Sequence, residues 1–327
     1  MSTLETEPSR LERRTAMSAP PARRIPILSS LGRLLRLTRI EIFKLFVHKF
    51  FVITLALTLL VTVGLGFAGK KFSEDSQVFR FSNYGVWVTT AGFGLQVATI
   101  LLVAQAAMSL SGEATARTLN TVLCRPLRRI EFVGAKILSL VFATVVLVAL
   151  TCLAAFVVGG TIEPRAAPDR MMLLSEEAPK PKPHIPLTTY GPIVDPRYPD
   201  KEIAPMGEVV GSILFGFLLL VVPVLAAVSV GFLLGTLMDS AAMAIGVAIG
   251  LFLALETSKF IPMFYEFLGS YAYNYPISQI FTLMRDAGNG GEPNWDAALA
   301  GVRVAALYVA GFFSVSIAIF CRRDVTL

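Results

Sequence analysis

The stretch from Phe81 to Gly112 reads FSNYGVWVTTAGFGLQVATILLVAQAAMSLSG and carries no charged side chain between Arg80 and Glu113. A helix crosses the hydrocarbon core of a bilayer with roughly 20 mostly apolar residues, so this stretch is long enough to span a membrane. The whole chain has a similar character, with 54% hydrophobic residues, 16% charged residues and a mean hydropathy of +0.66. This composition excludes an ordinary soluble domain and indicates an integral membrane protein.

Uncharged stretches on both sides of this segment extend the pattern to the rest of the chain. Six spans are predicted, over residues 50–69, 87–110, 134–158, 209–236, 241–258 and 301–320. A further apolar stretch ends near Arg285, but its tyrosines, Asn274 and Pro276 favour an interfacial or re-entrant segment. The predicted fold class is therefore an all-α polytopic membrane protein with six transmembrane helices.

The charges predict the orientation of these spans. With the amino terminus in the cytoplasm, the inner segments carry a net charge of +9 and the outer segments a net charge of −3. By the positive-inside rule, both termini lie in the cytoplasm of a multi-pass inner-membrane or plasma-membrane protein. The inner loop is then 111–136, and the outer loops are 69–86, 159–208 and 259–300. The net charge of +6 is a topology signal, and no nucleic-acid partner is predicted.

The chain before the first span divides into two parts. Residues 1–25 are polar and lack apolar periodicity, which predicts a disordered cytoplasmic tail. Residues 26–49 interleave leucines and other apolar residues with arginines and lysines, which predicts an amphipathic interfacial helix that binds membrane lipid. The alternative is a solvated helix that extends the first span into the cytoplasm.

The long outer loop 159–208 contains 10 of the 19 prolines of the chain. Proline-rich sequence favours extended, semi-rigid chain over a packed core. This loop could cover the outer mouth of the bundle or contact an outer partner, and an exposed loop without a partner is the alternative.

Catalytic residues are sparse in the predicted spans. The two histidines, His48 and His184, lie outside them, and no Asp lies in the middle of a span. The sequence therefore lacks the elements of an intramembrane serine, zinc or aspartyl protease. We predict that the chain is not an enzyme and binds no metal or other cofactor itself.

The inner loop and its flanks, Ser111 to Ile137, read SGEATARTLNTVLCRPLRRIEFVGAKI. Glu113 to Leu123 is predicted to be a short helix that ends before Pro126, and arginines follow it. A short helix held between two span ends can transmit force from a soluble partner. The alternative is a positively charged anchor that has no partner.

This loop resembles that of the ABC type-2 permeases, in the branch that includes the NosY-like permeases. The resemblance rests on a Glu, a Thr-Leu pair, a Pro with a following Arg, and a Gly-x-Lys, and it continues in the closing Phe-Cys-Arg-Arg-Asp. It implies a coupling helix over residues 118–123, seated on a separate ATP-binding cassette subunit that holds ATP and Mg²⁺, and a second permease copy. The implied coupling residues are Glu113, Arg117, Thr118, Leu119, Leu123, Arg125, Pro126, Arg129 and Lys136.

The predicted function is thus that of a membrane-spanning permease subunit that forms a substrate pathway. One alternative is a membrane anchor that recruits a cytoplasmic partner without transporting anything. A secondary transporter is the other, although such proteins usually carry ionisable residues in the middle of the membrane.

Polar residues in and near the spans are candidates for the pathway or an outer gate. Gln96 and Gln105 are nine residues apart, about 180° around a helix, so both cannot face one pathway. Satisfied packing within the bundle is the alternative role for each. Glu256 and Lys259, three residues apart at the outer end of the fifth span, could pair with each other on one face of the helix. Pro276 lies in the segment that resembles the re-entrant outer helices of this family, with an interfacial aromatic belt as the alternative.

Two GxxxG pairs flank the short turn between the fourth and fifth spans. Gly231 and Gly235 precede the turn, and Gly246 and Gly250 follow it. Such pairs let helix backbones approach closely. We expect them to pack the fourth and fifth spans against each other as a hairpin, with subunit dimerisation as the alternative.

Overall fold

The computed structural model describes residues 27–75, 83–116, 128–161, 190, 193–195, 198–258, 261, 272, 274–288 and 290–322. These residues form eight helices and a pair of strands. The helices are α1 (Ile27–Val47), α2 (Lys49–Asp75), α3 (Asn83–Thr115), α4 (Arg129–Thr161), α5 (Met206–Leu237), α6 (Ala241–Ser258), α7 (Tyr275–Gly288) and α8 (Trp295–Arg322). The strands are β1 (Ile193–Asp195) and β2 (Tyr198–Ala204).

Six helices, α2 to α6 and α8, are long and apolar enough to cross a membrane, which confirms the predicted all-helical polytopic fold. Large apolar side chains lie on their outer surfaces, such as Leu60 at 69% exposed and Leu307 at 73% exposed. Apolar exposure of this extent fits a surface that faces lipid. Helix α4 begins at Arg129, earlier than predicted. The negative charge of Glu131, in its first turn, stabilises this start because it lies at the positive end of the helix dipole.

Helix α7 and the strand pair lie outside these spans. The 14 residues of α7 extend about 21 Å, less than the roughly 30 Å of a hydrocarbon core, so α7 is too short for a crossing. Strands β1 and β2 pair antiparallel within the outer loop 159–208. The strand pair was not predicted, because the prolines around it favour extended chain without pairing. The predicted disordered tail, 1–25, lies outside the described residues.

Helix α3 is the centre of the bundle and contacts α2, α4, α5 and α6. Its contact with α2 and α4 depends on small side chains. A Cβ at Gly94 would overlap Oγ1 of Thr62 and would lie 3.1 Å from Cγ2 of Thr151. The Thr62 hydroxyl donates to the carbonyl oxygen of Thr58 at 2.8 Å, so this buried polar group is satisfied within its own helix. Small residues and locally bonded hydroxyls thus allow close packing without an unpaired donor at Thr62.

The two GxxxG pairs behave differently: α5 and α6 do contact each other, but the four glycines do not all lie in that contact. A Cβ at Gly231 would lie 2.5 Å from the carbonyl oxygen of Val103, and one at Gly235 would overlap the carbonyl oxygen of Ala107. The closest approach of both glycines is therefore to the backbone of α3. A Cβ at Gly246 or Gly250 would have no atom within 4 Å among the described residues. The periodicity of a GxxxG pair gives one small face but does not identify the helix that it meets.

The two ends of the bundle differ in chemistry. One end, which we call the charged end, contains the amino end of α4 and the carboxyl ends of α3 and α8. The opposite end, which we call the aromatic end, contains the beginning of α3, the end of α4 and the helix α7. An even number of crossings returns the chain to the end where it started, so α1 and the last turn of α8 both lie at the charged end. There, Nη1 of Arg129 on α4 donates to the carbonyl oxygen of Cys321 on α8 at 3.3 Å.

Candidate functional site

A buried lysine organises the charged end. Lys136, in the second turn of α4, has a side chain that is only 5% exposed. Its Nζ lies 2.8 Å from Oε1 of Glu113 on α3 and 3.2 Å from Oε2 of Glu41 on α1. The same ammonium lies 5.0 Å from the centre of the Phe132 ring. Lys136 therefore bridges three helices that are separate in the sequence, and we call Glu41, Glu113 and Lys136 the lysine bridge.

The ion pairs of the lysine bridge offset the free-energy cost of burying the charge on Lys136. An isolated ammonium in a low-dielectric interior is strongly unfavourable, and good geometry with a counter-charge is needed to offset that cost. Two carboxylates face Lys136. Glu41 also forms an ion pair with Lys44, whose Nζ lies 2.7 Å from Oε1 of Glu41. The side chain of Lys44 is 54% exposed, so it contributes little by itself.

The acidity of Glu41 reflects these neighbours. Burial by itself would raise the pKa of Glu41, but Lys136 and Lys44 outweigh burial, and the pKa lies below its ordinary value of 4.5. A carboxyl with a lowered pKa stabilises the fold above its ordinary pKa, and that contribution disappears as the pH falls through the lowered value. Glu41 therefore carries its negative charge at neutral pH.

Replacing Glu41 by Gln provides a pH test. At neutral pH we expect a lower thermal midpoint in detergent micelles, because the Gln side chain has no charge to offer Lys136. As the pH falls below 4.5 and through the lowered pKa of Glu41, the wild-type carboxyl also becomes protonated, so the difference between the two proteins should shrink. A difference in thermal midpoint that stays constant from pH 7 to well below pH 4.5 would contradict a charged role for Glu41.

A second ion pair holds the amino-terminal helix to α4. Arg33 Nη2 of α1 lies 3.8 Å from Oε1 of Glu131, whose side chain is 6% exposed. At the next residue of α1, the side chain of Leu34 approaches Gly134, where a Cβ would lie 3.4 Å from Cδ1 of the leucine. Charged and apolar contacts thus fasten α1 along the first two turns of α4.

The turn between α5 and α6 is bound to the end of α3. The Thr115 hydroxyl donates to the carbonyl oxygen of Ser111 at 2.8 Å, with the carbonyl oxygen of Asp239 as a longer second acceptor at 3.2 Å. It also accepts from the backbone N–H of Ala241 at 3.3 Å. Thr115 is followed by the inner loop, and Arg129 at the far side of that loop bonds to the end of α8. A displacement of the loop would therefore act on several helices at once.

Three of the predicted coupling residues, Glu113, Arg129 and Lys136, lie among the described residues. Glu113 and Lys136 are in direct contact, and Arg129 bonds to α8. Sequence reasoning missed Glu41 and Thr115. Glu41 is the one acidic residue in the predicted amphipathic segment 26–49, a signal that could have identified it. The predicted coupling helix lies outside the described residues, as do Arg117, Thr118, Leu119, Leu123, Arg125 and Pro126.

The candidates for the pathway or outer gate are dispersed. Gln96 is exposed on the surface of α3, whereas Gln105 is 7% exposed inside the bundle. The described residues provide no hydrogen-bond partner for Oε1 of Gln105. These positions do not converge on a shared site.

At the aromatic end, Glu256 and Pro276 both contribute to the position of α7. Oε1 of Glu256 accepts from Nδ2 of Asn274, 1% exposed, at 2.9 Å. Pro276 packs against Gly301 of α8, where a Cβ would lie 3.1 Å from the proline ring. The predicted partner Lys259 lies outside the described residues. Glu256 thus links the end of α6 to the start of α7.

Comparison with known families adds a decisive observation. Residues 70–320 match the family model described as ABC-2 family transporter protein, which covers more than half of the chain. The chain belongs to the ABC-2 transporter family. A search of curated proteins gave no match. This ABC-2 protein is a multi-pass integral membrane protein and a permease subunit of an ABC transporter. The matched residues include Glu113 and Lys136, whereas α1 and Glu41 precede them.

Proposed function

We propose that this ABC-2 permease forms the substrate pathway of an exporter and is driven by a separate ATP-binding cassette subunit. In this proposal the charged end faces the cytoplasm of an inner or plasma membrane, and both termini lie there. ATP and Mg²⁺ bind to the partner subunit, and a second permease copy, identical or different, completes the transporter. The NosY-like branch remains a prediction within this proposal.

The lysine bridge is the observation that carries the proposal. Glu113 lies at the entrance of the inner loop and Lys136 at its exit, and their side chains are 2.8 Å apart. A partner that pushes on residues 117–127 therefore moves α3 and α4 as a pair. Because Lys136 also binds Glu41, the same push reaches α1, and Thr115 carries it to the turn between α5 and α6. This connectivity suits a subunit that converts an external push into a movement of helices.

The test begins with the tagged chain purified from its native host in mild detergent. We expect an ATP-binding protein to co-purify and to hydrolyse ATP. Replacing Thr118 by Asp should reduce the amount of this protein at least tenfold, because the substitution adds a charge to the proposed coupling helix. Ser278, exposed on α7 at the opposite end, offers a matched control, and its replacement by Asp should leave the co-purified amount unchanged.

The alternatives predict other results. A secondary transporter would purify without any ATP-binding protein. A non-transporting anchor would retain a cytoplasmic partner that lacks ATPase activity. Equal retention of the ATP-binding protein by the Thr118→Asp and wild-type chains would contradict seating on the inner loop.

A further inference from the structure

Tyr190 lies just before the strand pair and inserts its ring at the aromatic end. Its hydroxyl donates to the backbone carbonyl oxygen of Phe156 on α4 at 2.6 Å. Its ring stacks on the Phe156 ring with the centroids 4.5 Å apart and the planes at 8°. One residue thus provides both a polar and an aromatic contact between the outer chain and α4.

The surroundings of Tyr190 have the shape of a socket for one aromatic ring. The ring of Tyr84 lies 5.2 Å from that of Tyr190, and the indole of Trp87 lies 5.9 Å away. Gly159 forms the notch for the hydroxyl, since a Cβ there would lie only 2.6 Å from Oη. We call Tyr84, Trp87, Phe156 and Gly159 the ring socket.

The wall of the socket has its own supports. Nε1 of Trp87, a residue that is 1% exposed, donates to the carbonyl oxygen of Cys152 at 3.0 Å. Trp87 also packs edge-on against Phe156 at 4.9 Å and stacks near Phe217 at 6.0 Å. These contacts do not involve Tyr190. The socket should therefore keep its shape when the tyrosine ring leaves, as an apolar cavity with rigid walls does.

We propose that the ring socket is a binding site for a phenol-like ring, which the protein fills with its own Tyr190 to pin β1 and β2 to the aromatic end. Withdrawal of Tyr190 then frees the strand pair and exposes Trp87 between α3 and α4. Burial raises the pKa of the Tyr190 hydroxyl, so it stays protonated and remains a donor at physiological pH. This proposal concerns the chain itself and requires neither an ATPase partner nor a transported substrate.

The test uses Trp87 as a fluorescent reporter. The chain has two tryptophans, so replacing Trp295 by Phe leaves Trp87 alone. In that background, Tyr190→Ala should increase acrylamide quenching of Trp87 several-fold and should speed hydrogen exchange in β2. Added p-cresol should reverse the quenching. Toluene should protect with roughly tenfold lower affinity, because it cannot donate the hydrogen bond to Phe156.

Two glycine variants make the test specific. Gly159→Ala, with Tyr190 intact, should also expose Trp87, because the new methyl group fills the notch, and p-cresol should not reverse this exposure. Gly64→Ala is the matched control, since a Cβ there would approach none of the residues that the structure describes within 4 Å. It should leave the fluorescence unchanged.

The proposal is overturned if Trp87 stays protected in Tyr190→Ala, or if p-cresol and toluene have the same effect. Should Tyr190→Ala fail to fold, Tyr190→Phe decides the matter. This variant keeps the ring and loses only the hydroxyl, so hydrogen exchange in β2 should rise modestly. An unchanged exchange rate would then refute the role of the Phe156 hydrogen bond.

Discussion

Replacing Lys136 by Met is expected to destabilise the protein by about 3–5 kcal/mol, because breaking a buried ion pair leaves its partner charge uncompensated. Here the partners are two carboxylates, Glu41 and Glu113, whose side chains are 12% and 22% exposed. Without the Lys136 ammonium, these two carboxylates no longer have a shared cation between them. We would measure the loss by titrating purified protein with sodium dodecyl sulfate in mixed micelles.

Lys44 provides the matched control for this prediction. It pairs with the same Glu41 at 2.7 Å, but its side chain is 54% exposed. Its replacement by Met should therefore cost less than about 1 kcal/mol, as is usual for exposed ion pairs. Equal losses for Lys44→Met and Lys136→Met would show that burial is not what makes the lysine bridge strong.

A triple variant tests the mechanism. Combining Lys136→Met with Glu41→Gln and Glu113→Gln also removes the two carboxylate charges that faced Lys136, so part of the lost stability should return. If the triple variant is no more stable than Lys136→Met, the loss comes from packing around Phe132 and not from charge. The triple variant should still fail to couple α1 to the inner loop, because the bridge itself is absent.

The spans were predictable because each depends only on local composition. Residues 241–258 lack a charge except at Glu256, and α6 has the same bounds. Contacts between helices were not predictable in this way. That Lys136 meets Glu41 depends on how α1 lies against α4, and no local pattern encodes this angle. The charge on each residue was visible in the sequence, but the pairing was not.

The aromatic end illustrates a second limit. Tyr190 follows a proline-rich stretch and precedes a Gly-Pro pair, a context that indicates loop. Its role depends on Gly159, whose missing side chain leaves room for the hydroxyl. A contact between two residues so far apart in the chain produces no periodic pattern in the sequence. The same reason explains why the sequence indicated a packing surface at Gly231 and Gly235 but did not identify α3 as the helix that they meet.

Substitution of the first GxxxG pair is the second change that we expect to have a large effect on stability. Replacing both Gly231 and Gly235 by Ala should destabilise the bundle by roughly 2–6 kcal/mol, if each added methyl group costs the usual 1–3 kcal/mol of overpacking. Both new methyl groups would meet backbone carbonyl oxygens of α3, at Val103 and Ala107. Backbone atoms in the middle of a helix cannot move aside as the end of a side chain can, so α5 must shift away from α3.

The second GxxxG pair is the control for this effect. Gly246→Ala with Gly250→Ala makes the same two substitutions on the neighbouring helix, where the new methyl groups meet no other described part of the chain within 4 Å. Stability should then stay equal or rise slightly, because Ala is the better helix former. The comparison uses detergent titration of both double variants. Equal destabilisation would support a hairpin in which both pairs join α5 to α6, and it would contradict the packing of α5 on α3. If only the Gly231 and Gly235 variant loses stability, the close approach is between α5 and α3. A movement of the inner loop at Thr115 would then be transmitted along α3 to α5.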